Sequence, residues 1–109
     1  MSVNMERTTI RERILLHLSR FTMVDDQEEY NLPFDLTQDG IGTAIGISRA
    51  HTSLELKKLR ERDRVKERQV RVLSSNVRRK VYYLTDEGMA EAEGIKRRLK
   101  TVGVSYETI

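Results

Sequence analysis

Two helical repeats of apolar residues follow one another between Thr37 and Arg62 with only Gly46 and Ile47 between them, and this spacing constrains the fold more than any other feature. In the first repeat Thr37 is a good N-cap, Asp39 favours the positive end of a helix dipole, and Ile41, Ala44 and Ile45 share one face. Gly46 can take the left-handed conformation that ends a helix. In the second, Ser48 offers a new N-cap, and Thr52, Leu56 and Leu59 recur at four and three residues up to about Arg62. Helices joined so tightly must cross at a steep angle, and small residues at the turn permit the approach.

The flanking segments complete the pattern. Upstream, Ile10, Ile14, Leu15, Leu18 and Phe21 predict a helix over Thr8–Phe21 with one apolar stripe. Met23–Leu36 loses the period, gathers Asp25, Asp26, Glu28 and Glu29, and holds the only proline, Pro33; it is expected to be a surface loop ending in a very short strand at Phe34, Asp35 and Leu36. Downstream, Val65, Glu67, Gln69, Arg71 and Leu73 fall on one face of a strand and Lys66, Arg68, Val70 and Val72 on the other. A polar turn, Ser74, Ser75, Asn76 and Val77, leads into a second antiparallel strand over Lys80, Val81, Tyr82, Tyr83 and Leu84. Thr85 caps a last helix with Asp86 and Glu87 in its first turn and Lys96, Arg97, Arg98 and Lys100 near its end, matching the dipole at both termini. Met89, Ala92, Ile95 and Leu99 form its inner face, and Gly103 is expected to end it.

The expected fold is therefore α+β, mainly α: a three-helix core, a β-hairpin and a C-terminal helix. A length of 109 residues fits one domain over 1–100, with 101–109 as a tail or the start of a linker. Apolar residues at 38% and charged residues at 34% suit a compact core under a charged surface. The absence of cysteine excludes disulfides, thiolate metal sites and a cysteine nucleophile, and makes a reducing, cytoplasmic setting the expectation. No apolar run approaches the roughly 20 residues that span a bilayer, and charges throughout Met1–Met23 argue against a signal peptide and a membrane role.

Charge distribution is more informative than the net value of +3. Residues 1–40 hold eight acids against four bases, whereas Lys57–Lys80 holds eleven bases against three acids, a net of +8. Such a stripe suits a polyanion.

Four segments, Leu36-Thr37-Gln38-Asp39-Gly40-Ile41, Gly46-Ile47-Ser48-Arg49-Ala50-His51, Leu56-Lys57-Lys58-Leu59 and Arg78-Arg79-Lys80-Val81-Tyr82-Tyr83-Leu84-Thr85-Asp86-Glu87-Gly88, occur in this order over roughly Thr8–Lys100. In them the chain resembles winged helix-turn-helix transcription regulators of the broad MarR type, and especially archaeal N-terminal winged-helix domains. The resemblance implies binding to double-stranded DNA with no cofactor. The recognition helix, about 48–62, would enter the major groove, and the wing, about 64–84, would follow the backbone or minor groove. Ser48 and Arg49 stand where a hydroxyl, a guanidinium and a helix dipole meet a phosphate or base edge. Arg49 has the fork that matches guanine O6 and N7, worth about 1 to 3 kcal/mol of discrimination, or it touches phosphate alone. His51 and Ser53 are further candidates, and Lys57 and Lys58 extend the surface. Arg78, Arg79 and Lys80 are assigned to backbone or minor-groove contact, with Ser75 and Asn76 able to bond phosphate or base edges. The same family commonly dimerises through its terminal helices, so a homodimer through the first and last helices is expected.

Two residues depart from that pattern. Leu54 either touches a thymine methyl or docks on a protein, and Glu55 either accepts from cytosine N4 or pairs with Lys58. A winged-helix module that binds a protein through Leu54 and the acidic loop is the rival reading; a DNA-binding head of a longer regulator continuing beyond Ile109 is a third. Catalysis is not expected: the two histidines, His17 and His51, lie on different helices, which also argues against a metal, and Gly40, Gly42 and Gly46 open no phosphate-binding loop. Tyr82 and Tyr83, adjacent on a strand, point to opposite faces and with Tyr106 form no stacking platform for single strands.

Overall fold

The structure, a computed structural model, describes residues 8–21, 32–71 and 78–101. The order is α1 (Ile10–Leu18), a 3-10 turn (Phe34–Leu36), α2 (Gln38–Ile45), α3 (Arg49–Glu61), β1 (Val65–Arg71), β2 (Arg78–Leu84) and α4 (Asp86–Thr101). The acidic part of the expected loop, the hairpin turn with Ser75 and Asn76, Gly103 and Tyr106 lie outside the described residues.

A capping box opens α1: Glu12 N–H donates to Thr9 Oγ1 at 3.1 Å while Thr9 N–H donates to Glu12 Oε1 at 3.0 Å. Beyond it the helix is enclosed rather than one-sided, with every residue from Arg13 to Ser19 buried. A stripe of Ile14, Leu15 and Leu18 was the expected face, yet Arg13, Leu16 and His17 are also covered because α2, α3, α4 and β2 all pack against α1. Burial is possible for the two polar residues because each finds a carbonyl. Arg13 Nη2 donates to Ile45 O at the C-terminal end of α2, where helix carbonyls lack partners, and His17 Nε2 donates to Asp35 O at 2.9 Å.

The short strand expected at Phe34–Leu36 is instead the 3-10 turn. Its geometry follows from Pro33, whose fixed φ of −74° leads in, and from Thr37 N–H, which closes back on Phe34 O at 2.9 Å. One residue later, Thr37 makes an isolated antiparallel bridge to Val81. Thr37 also caps α2, its hydroxyl accepting from Gly40 N–H at 3.0 Å and donating to Phe34 O at 2.7 Å. One threonine thus joins the turn, α2 and the hairpin.

β1 and β2 form an antiparallel hairpin in continuous register from Val65↔Leu84 to Arg71↔Arg78. It buries residues on both faces, Val65 and Tyr82 on one and Val70 and Val81 on the other, which is the mixed burial that the sequence alternation implies. Thr85 caps α4 by accepting from Gly88 N–H at 2.9 Å, and Ala92, Ile95 and Leu99 complete the core beneath it, with Met89 partly buried. The turn from α3 into β1 needs Asp63 at φ 58°, a left-handed position that aspartate tolerates better than most residues.

Candidate nucleic-acid interface

The angle between α2 and α3 is set by close approach. A Cβ on Gly42 would stand 2.7 Å from Thr52 Oγ1 and 3.3 Å from Ile47 O, so only glycine lets the helices meet here without displacement. Gly46 ends α2 at φ 83° and ψ 38°, and both its own N–H and that of Ile47 return to Gly42 O, at 2.8 and 3.0 Å. Ser48 then caps α3 by accepting from His51 N–H at 3.1 Å. The expected caps, the glycine stop and the tight turn are all present.

These constraints divide α3 into two faces. Thr52, Glu55, Leu56 and Leu59 are buried, while Arg49, His51, Ser53, Leu54 and Lys57 are exposed, Ser48 stands exposed at the cap and Lys58 is partly covered. Leu54 keeps half its surface in solvent. Both expectations for Glu55 are wrong. Its carboxylate points inward, accepting from Arg11 Nε on α1 at 3.0 Å with His51 Nε2 at 3.7 Å, so it neither faces the open surface nor pairs with Lys58. Position 55 shares the inner face with Thr52, Leu56 and Leu59, and Arg11 supplies the charge that makes a covered carboxylate tolerable.

The wing brings its cations to the same side of the molecule as the start of α3. Arg49 grips Asp39 side-on, Nε to Oδ1 at 3.1 Å and Nη2 to Oδ2 at 2.9 Å, and Arg79 Nη1 reaches the same Oδ2 at 3.8 Å. The Arg79 guanidinium also stands 6.0 Å from the centre of the Phe34 ring, within range of a cation–π interaction. Gln38, Asp39, Arg49, Arg79, Lys80 and Tyr82 line one open cleft over Thr37. Arg78 is exposed and donates to Gln69 O at 2.7 Å.

A second carboxylate organises the hairpin. Glu67 receives Arg60 at 3.2 Å, Lys80 at 4.0 Å and the Tyr82 hydroxyl at 2.9 Å. Burial, reinforced by the hydrogen bond to Glu67, pushes the Tyr82 hydroxyl far above the usual phenol range, so it serves as a neutral donor rather than a base. Tyr83, the next residue of the strand, is only partly buried and lies on the opposite face.

Sequence reasoning placed Ser48, Arg49, His51, Ser53, Lys57, Arg78, Arg79 and Lys80 on the surface but missed Asp39 and Glu67 as the anions between them. The helix dipole alone accounts for Asp39 in the sequence, and its partner ten residues on has no periodic relation to it. Glu67 carried one signal, an acid within a basic stripe. Among the described residues no group of His, Asp and Glu has metal-binding geometry, and no helix is long and apolar enough to cross a membrane.

The family model of the Crp-like helix-turn-helix domain matches residues 12–79, more than half the chain. Similar solved structures include MepR, a transcription regulator of the Staphylococcus aureus multidrug efflux pump MepA, with 20% identity over 88% of this chain, 60% of that one, and a TM-score of 0.65. The MepR–DNA complex aligns at 21% identity over 88% of this chain and 67% of that one, TM-score 0.62. Lactococcus lactis ZitR aligns at 23% identity over 92% and 64%, TM-score 0.63. The chain thus spans about 60% of the length of the MepR chain. No curated protein sequence matches it. With the family match and these likenesses in agreement, the chain belongs to the Crp-like helix-turn-helix domain family, and its fold is that of a winged helix-turn-helix.

Proposed function

We propose that the chain binds double-stranded DNA as the DNA-binding domain of a transcription regulator. The outer face of α3, with Ser48, Arg49, His51, Ser53, Lys57 and Lys58, enters the major groove. Arg78, Arg79 and Lys80 on the wing, joined by Ser75 and Asn76, follow the backbone or minor groove. The observation that carries this reading is that cations from α3 and β2 meet at one carboxylate, so two elements distant in sequence present charge to a single surface. Residues 1–100 form the domain, 101–109 are a tail or the start of a linker, and two copies pair in the cytoplasm through α4 and the uncovered start of α1.

Affinity for duplex DNA, followed by fluorescence anisotropy across a salt series, tests the proposal. If about six cations contact phosphate, binding weakens roughly a thousandfold between 50 and 200 mM salt. Arg49→Ala is expected to cost about tenfold and to relax base preference. Arg78→Ala with Arg79→Ala is expected to lower the log–log salt slope by about two. Unchanged affinity in both variants overturns the assignment. A flat salt response with retained binding to a protein partner favours docking through the exposed Leu54 instead.

A further inference from the structure

A carboxylate in the middle of a surface that receives phosphates works against binding, since each approaching phosphate meets a like charge. Asp39 holds that position. Among the described residues that line the cleft between α2, α3 and the wing it is the only acid. Its charge is not needed to cap α2, because Thr37 already accepts from Gly40 N–H. What the carboxylate does is bind two guanidinium groups, taking the fork of Arg49 through both oxygens and reaching Arg79 through Oδ2. An oxyanion held between two arginines presents the oxygen pattern of a DNA phosphate in the same place. The pairing remains exchangeable, because the Arg49 side chain is 75% exposed and that of Asp39 34%.

We infer that Asp39 is a specificity-determining residue: in the free protein its carboxylate stands in for a backbone phosphate between Arg49 and Arg79, so that random duplex is held off. The inference rests on the DNA reading above. A phosphate alone exchanges one oxyanion for another and gains little. A guanine edge adds two acceptors aligned for the Arg49 fork to the phosphate contacts that any duplex offers, so the cost of leaving the carboxylate is repaid there and not on random sequence. Asp39 therefore lowers affinity for any duplex but lowers it least where a guanine lies under Arg49.

The test measures binding of the full chain to a random-sequence pool of duplexes of about 24 base pairs, two helical turns, and to duplexes that the wild type selects from that pool. Asp39→Asn is expected to tighten binding to the pool about fivefold and to steepen the log–log salt slope by about one, with a smaller gain on the selected duplexes. Asp63→Asn, in the turn from α3 into β1, removes the same charge away from the cleft with a residue that tolerates positive φ, and is expected to change pool affinity less than twofold. The gain from Asp39→Asn is expected to vanish when Arg49→Ala and Arg79→Ala are already present. Melting curves of each variant keep a folding defect separate from a binding effect. A gain no larger than that of Asp63→Asn, or one that survives loss of both arginines, overturns the inference while leaving DNA binding intact. A wild type that binds no duplex at 50 mM salt overturns both.

Discussion

The crossing of α2 on α3 and the wing present the two halves of one surface, yet they are held by different forces. At the crossing, position is a matter of exclusion: Gly42 against Thr52, the left-handed Gly46 and the caps at Thr37 and Ser48 leave one arrangement that avoids overlap and satisfies every helix-end donor named. On the wing, the outer residues Arg78, Arg79 and Lys80 are exposed, and what restrains them is a carboxylate, a carbonyl or an aromatic face. Steric constraint is short-ranged and steep, whereas exposed charge pairing is weak and exchangeable. The crossing therefore sets the geometry, and the wing can trade its partners when a polyanion arrives.

The sharpest way to break this contrast is Gly42→Ala. Its Cβ displaces either the buried Thr52 or the turn, and chemical denaturation should show a loss of about 2 kcal/mol. A variant as stable as the wild type would mean that the crossing is not sterically set. The wing should behave in the opposite way: Arg78→Ala with Arg79→Ala should cost about tenfold in duplex affinity, yet leave stability within about 0.5 kcal/mol. Large destabilisation there would make the wing cations structural.

Gly46→Ala separates two contributions at the crossing. Nothing stands within 4 Å of a Cβ at this position, so the penalty comes from the positive φ alone and should be about 1 kcal/mol. The smallest effect is expected away from both regions, at the pair of Glu12 and Arg98 that links α1 to α4 at 2.8 Å. The hydrogen bond from Arg98 holds the Glu12 carboxyl below its usual range despite partial burial. Its folded value is depressed, so its contribution is complete above the unfolded pKa and fades as pH falls through the folded one. Glutamine retains the capping box with Thr9 and removes only the charge. Glu12→Gln should thus be less stable by a few tenths of a kcal/mol at neutral pH, and the difference should close below about pH 4.

Which features were legible follows from the same division. Caps, glycine stops and apolar periods are local, and Thr37, Gly46, Ser48 and Thr85 could be assigned from neighbours a few residues away. Charges that meet across the fold leave no such trace. Arg11 lies 44 residues from Glu55, and the inward turn of that acid was invisible because a helix period ranks residues by polarity and assigned it outward. The enclosure of α1 was missed for a related reason, since Arg13 and His17 look like a solvent face until carbonyls at Ile45 and Asp35 are found beside them. Phe34–Leu36 failed at a shorter range, where a strand and a single 3-10 turn differ only in how Thr37 closes on Phe34.

Glu55 has one further effect, on the rotation of α3 about its own axis. A carboxylate beneath the surface is tolerated only where a cation reaches it, and Arg11 on α1 reaches this one at a single azimuth of α3. Turning the helix by one residue, about 100°, would strip the acid of Arg11 and bring a different row of side chains outward. A hidden negative charge thereby indexes which letters of the helix are displayed, much as a key on a shaft fixes the angle of a wheel.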